Sequence, residues 1–186
     1  MDNKKREELL GSTLERIQFW IGNVDAKISF LLSLSGALLG FMFASDSIDG
    51  TIHSYIGLKE LDWRMWVAII NGTVFVATVF FISKAIIHFL KALKGRIDSN
   101  VYRQQGLEVK SLIFWGTIAE NKRYVDFKDS LDAETEETIL NDLSSQVYIN
   151  SKITKRKFEI YNNGIKALSI SIILLVAFKL IGYIPI

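Results

Sequence analysis

Residues 28–44 read ISFLLSLSGALLGFMFA, an uninterrupted apolar stretch without a single charge. At ~1.5 Å per residue a helix of this length covers roughly 25 Å, close to the ~30 Å hydrocarbon core of a bilayer. Lipid offers no hydrogen bonds to the backbone, and a helix satisfies its own N–H and C=O groups internally. Two further blocks have the same character, Met65 to Leu90 and Ala167 to Ile186. The last, ALSISIILLVAFKLIGYIPI, is interrupted by Lys179, whose long stem can snorkel outward beside Tyr183. The reading is an all-α membrane protein: three transmembrane helices with a cytoplasmic helical extension bundle.

Flanking charge sets the expected orientation, because lysine and arginine resist translocation. Lys4, Lys5, Arg6, Arg16 and Lys27 precede the first span, Lys91, Lys94 and Arg96 follow the second, and Lys152, Lys155, Arg156, Lys157 and Lys166 precede the third. The segment from Ser45 to Arg64 carries only Lys59 and Arg64 among Asp46, Asp49, Glu60 and Asp62. The chain is therefore expected in an inner membrane with its N-terminus in the cytoplasm. The rival arrangement has the last block lying flat or returning. The first block begins after a long polar stretch, unlike a secretory signal, and is expected to be retained.

Four segments follow: 1–27, an amphipathic helix continuous with the first span; 28–90, a two-span hairpin with an outer loop at 45–64; 91–166, a helical region expected to be the sensor; and 167–186, the third span. In the first, Leu10, Leu14, Ile17, Ile21, Val24 and Ile28 recur at alternating steps of four and three, a single helical seam. It predicts one helix from about Lys5 to Ala44. The turn formers Gly95, Asp98, Ser99 and Asn100 end the helix leaving the second span. Between Leu107 and Ala119 the pattern fits either a strand or a buried helix. Asp129 and Ser130 are cap candidates for a helix opening on Asp132, Glu134, Glu136 and Glu137, with a stripe of Leu140, Leu143, Val147, Ile149, Ile153 and Ile160. That helix either enters the third span directly or hinges at Asn162, Asn163 and Gly164.

Net charge is only +2, from 22 basic and 20 acidic residues, too little for a nucleic-acid partner. With no cysteine and two histidines, His53 and His88, neither a metal site nor redox chemistry is expected. No nucleophile with its base and no phosphate-binding glycine loop appears, so an enzyme is not expected and no catalytic residue is assigned.

Two groups of residues suggest sites. Gly36 and Gly40 form a GxxxG, extended by Ser33, that permits close helix approach. It serves either a homo-oligomer or packing on the chain's own second span. Asn71, the only amide within a span, lines a pathway or makes one interhelical hydrogen bond. Phe114 and Trp115 followed by Lys122, Arg123 and Tyr124 combine aromatic faces with cationic donors, able to stack a base and pair a phosphate. Equally, they can fill a small core covered by solvated charge.

DAKISFLLSLSGALLGF at residues 25–41, SLIFWGTIA at 111–119 and LNDLSSQVYINSKI at 140–153, in this order around a two-span hairpin, resemble the transmembrane effectors of Pycsar antiphage defence. The resemblance covers nearly the whole chain. Many relatives carry a second phenylalanine where this chain has Trp115. The resemblance implies an inner-membrane protein that oligomerises and disrupts the membrane when a partner cyclase makes a cyclic nucleotide, a regulatory ligand rather than a cofactor. The competing class is a holin-like pore former or a membrane scaffold that no nucleotide gates.

Overall fold

The computed structural model describes residues 2–44, 63–94 and 104–183. Five helices appear in order: α1 (Asn3–Ala44), α2 (Trp63–Leu93), α3 (Trp115–Ala119), α4 (Tyr124–Asp132) and α5 (Glu136–Gly182). No strand occurs among the described residues. Three helices, α1, α2 and α5, are long and apolar enough to cross a membrane. The outer loop expected at 45–64 lies almost wholly outside the described residues, as do the turn formers Gly95, Asp98, Ser99 and Asn100.

The chain divides into two compact units. One takes α1 through Val24 and the polar segment through Lys157; the other takes the rest of α1 from Asp25, α2, and α5 from Phe158. Both α1 and α5 therefore contribute to each unit without a helix break.

In the second unit three helices share a core of Met42, Ile82, Leu175 and Phe178, flanked by Leu38, Val74, Phe75 and Val79. The Phe75 and Phe178 rings lie 5.4 Å apart. Small residues permit this close packing: Ser35, Thr78 and Ser171 are fully buried. Each hydroxyl donates to a carbonyl of its own helix, Leu31, Val74 and Leu168 respectively, at 2.7 Å, so none of these three hydroxyls is stranded. The outward faces carry Phe30, Phe41, Val76, Phe80, Ile173 and Val176, all well exposed. So much outward apolar surface suits lipid as the surrounding solvent. Lys179 lies over the Phe41 ring at 5.0 Å, which gives its charge an aromatic partner.

Gly164 has a packing role that a hinge reading misses. A Cβ built there would lie 2.6 Å from Cε1 of Phe89, whose side chain is fully buried. The ring rests on the glycine backbone, and α5 passes through Asn162, Asn163 and Gly164 unbroken.

In the first unit the seam of α1 buries Leu14 and Val24, and α5 buries Leu140, Leu143 and Ile149. The α5 cap also differs from the sequence expectation. Asp129 and Ser130 lie inside α4, and Thr135 caps α5 instead. Thr138 N donates to Thr135 Oγ1 at 3.3 Å and Thr135 N to Thr138 Oγ1 at 2.9 Å, a reciprocal capping box with threonine in the usual glutamate position. Glu136 and Glu137 occupy the acidic first turn.

Candidate functional site

The segment 107–114 is neither strand nor helix, so its backbone donors need other partners. Side chains of α5 supply two of them, and side chains of the segment itself supply others. Glu108 N donates to Ser145 Oγ at 3.0 Å and Leu112 N to Asp142 Oδ2 at 2.8 Å. Ser111, 3% exposed, accepts from Ile113 N at 3.1 Å and Phe114 N at 3.0 Å through Oγ. The Thr117 hydroxyl bonds the Ser111 carbonyl, closing the turn before α3. Tyr148 OH adds a contact to Gln104 Oε1 at 3.2 Å. The turn into this segment uses Gly106 at φ +89°, a conformation that glycine adopts without steric cost.

This latch leaves a cavity of about 230 Å³ between the segment and α5, lined by Ser111, Phe114, Thr117, Gln146, Asn150 and Ile153 with Glu108, Val109 and Ile149. One wall is aromatic and the floor carries amides. Asn150 Nδ2 donates to the Gln146 carbonyl at 2.8 Å and lies 3.5 Å from Gln146 Oε1. The Gln146 NH₂ and Asn150 Oδ1 remain as a donor and an acceptor for a guest. Gly116 shapes the aromatic wall: a Cβ there would meet Phe114 Cε1 at 2.5 Å, so the ring folds over the glycine.

Of the residues singled out from the sequence, Phe114 lines the cavity and the others do not. Trp115 contacts the Phe114 ring at 5.4 Å between centroids but is 76% exposed. Lys122 and Tyr124 are exposed. Arg123, also exposed, grips Asp126 with Nε at 3.2 Å and Nη2 at 2.6 Å. That side-chain bond raises the Arg123 pKa further above its ordinary value, so the guanidinium stays charged. The sequence reading missed Ser111, Gly116, Asp142, Ser145, Gln146 and Asn150. A signal existed: Asp142, Gln146, Ile149 and Ile153 fall at helical spacing on one face of α5, so polar residues interrupt an apolar seam.

Ser33, Gly36 and Gly40 lie on the exposed face of α1. A Cβ at either glycine meets nothing within 4 Å, so packing among the described residues makes no use of them. Asn71 is buried, and its Oδ1 has no hydrogen-bond partner among the described residues.

These features define a class: an all-α membrane protein with three apolar helices and a polar helical unit. The chain belongs to the Pycsar effector protein family, whose domain matches residues 9–182. It is 39% identical over 181 residues to the Pycsar effector protein GmPycTM of Gulbenkiania mobilis, covering 94% of this chain and 91% of that one. No solved structure matches the chain. Membership places it among the membrane effectors of antiphage defence.

Proposed function

We propose that the chain is an inner-membrane effector, N-terminus inside, that oligomerises and disrupts the membrane when its polar unit binds a cyclic nucleotide made by a partner cyclase. One observation carries the reading. The helix that supplies Gln146 and Asn150 to the cavity is the same unbroken helix that places Leu175 and Phe178 in the core of the apolar unit. A ligand shifts such an assembly only by binding one state better than the other, and a continuous helix gives both units a stake in that difference.

The cavity is smaller than the ~300–1,000 Å³ usual for a whole small-molecule site. It suits a base alone, stacked on Phe114 and read by Gln146 and Asn150. The phosphate then falls to cations outside, with Lys122 and Arg123 the candidates beside exposed Trp115 and Tyr124. Arg123 exchanges Asp126 for phosphate without losing a bidentate partner. Calorimetry on the full chain in detergent, titrated with the 3′,5′-cyclic mononucleotides, tests this. One nucleotide is expected to bind, and Phe114→Ala to weaken it about 5- to 150-fold, the usual loss for a base–aromatic stack. Absence of binding by every cyclic mononucleotide and cyclic oligonucleotide overturns the reading.

Self-association uses the exposed small-residue face of α1. Glycine in a helix costs about 1 kcal/mol relative to alanine, and packing among the described residues gives no compensation at Gly36 or Gly40. A second copy does, since small residues let two backbones approach in lipid. Gly36→Leu with Gly40→Leu is expected to abolish crosslinked oligomers and the toxicity that follows signalling. Unchanged crosslinking removes this face from the mechanism.

A further inference from the structure

A second cavity lies wholly within the apolar unit and plays no part in the nucleotide reading. It is a groove of about 590 Å³ whose walls come from α1 and α5: Ala26, Lys27, Phe30, Leu31 and Leu34 on one side, Tyr161, Ile165, Leu168, Ser169 and Ile172 on the other. The two helices run parallel here, because residues 26–34 face 161–172 while Met42 meets Leu175 and Phe178 further along. Both walls therefore change character in the same direction. Lys27 and Tyr161 stand together at one end, and beyond them Ser169 is the only polar residue on an otherwise aliphatic and aromatic lining. Lys27 forms no ion pair among the described residues.

Length and charge together select the occupant. From Tyr161 to Ile172 the α5 wall rises roughly 16 Å, about half the ~30 Å hydrocarbon thickness, which is the depth of one leaflet. A groove of that depth, apolar but for Ser169 and bordered at one end by an ammonium and a phenol, matches a chain with an anion at its head. Apolar packing alone would accept any lipid, since every tail resembles every other. Lys27 supplies the discrimination, as a cation at the membrane surface favours anionic headgroups, and a tyrosine hydroxyl is able to donate to a phosphate oxygen.

We propose that this groove is a site for one anionic phospholipid, its acyl chain lying along Phe30, Leu34, Ile165 and Ile172 and its phosphate held by Lys27 and Tyr161. The proposal rests on the membrane placement of the helices and stands apart from nucleotide binding. A lipid seated there becomes part of the contact between the first and third spans, so membrane composition acts directly on their packing.

The test uses the full-length protein purified in detergent, mixed with equal amounts of phosphatidylglycerol and phosphatidylcholine of identical chains, and weighed intact by native mass spectrometry without nucleotide. Retention of phosphatidylglycerol is expected to exceed that of phosphatidylcholine roughly fivefold. Lys27→Gln is expected to bring the ratio to about one, and Lys27→Arg to preserve it. Ser169→Trp, placed on an exposed part of the wall, is expected to reduce retention of both lipids alike. Equal retention by the wild type overturns the proposal, as does an unchanged ratio in Lys27→Gln or a preference lost equally in Lys27→Arg.

Discussion

Replacing Asp142 by leucine is expected to detach residues 107–114 from α5 and to speed hydrogen exchange at the Glu108 and Leu112 amides. The carboxylate is 5% exposed and accepts Leu112 N at 2.8 Å. Without it a backbone donor loses its partner in a segment that has no ladder to fall back on. Stranding a buried donor costs about 1–3 kcal/mol, so opening should become roughly 5- to 150-fold more frequent. Asp142→Asn separates acceptor from charge: it keeps an oxygen for Leu112 N while removing a carboxylate whose Oδ1 has no hydrogen bond among the described residues. Exchange in that variant should stay within a few-fold of wild type. Phe114 sits on the latched segment, so under the proposed function nucleotide affinity should fall with Asp142→Leu and survive Asp142→Asn. Unaltered exchange across 107–114 in Asp142→Leu would show that the latch does not hold the cavity.

A second large effect is expected at Gly164. Gly164→Ala sets a methyl 2.6 Å from the Phe89 ring, closer than real contacts allow, in a place where the ring is fully buried. Overpacking of this kind costs typically about 1–3 kcal/mol, which for a chain of this length lowers the melting temperature by several degrees. Phe89→Ala alone should also destabilise, through the cavity it opens. The double variant discriminates between explanations. If Gly164 exists to receive the ring, Phe89→Ala relieves the clash and the two costs fail to add. If it were a hinge, alanine would act through the α5 backbone and the costs would simply sum. Thermal unfolding of the four proteins in one detergent gives the coupling directly, and additivity would return Gly164 to a hinge role.

The latch and the glycine contact also mark where sequence reading reached its limit. Helical periodicity exposes any face that buries apolar side chains, which is why the seam from Leu10 to Ile28 was legible, with α1 burying Leu14, Val24 and Ile28. Hydropathy exposes any helix that lipid must surround, hence the three long apolar helices. The α5 cap was harder, because Asp129, Ser130 and Thr135 are all competent caps. The choice fell to where α4 ends, at Asp132, which leaves Thr135 as the first free cap before α5. Between 107 and 119 the pattern fitted either a strand or a buried helix, yet 107–114 is neither, Val109 and Trp115 are strongly exposed and Ser111 is buried. A segment held in place by side chains 30 or more residues away, at Glu108 N and Leu112 N, leaves no periodic trace in its own sequence.

The sequence alone determined that this is a helical membrane protein, where its apolar helices run, and which family it resembles. Those properties depend on local hydrophobicity and on motifs read in order. Tertiary structure decided that Phe114 faces a cavity while Trp115, Lys122, Arg123 and Tyr124 lie outside it, that Gly36 and Gly40 look outward, and that Gly164 receives a ring. Each of these depends on which residues distant in the chain come into contact, and spacing along the chain carries no record of that.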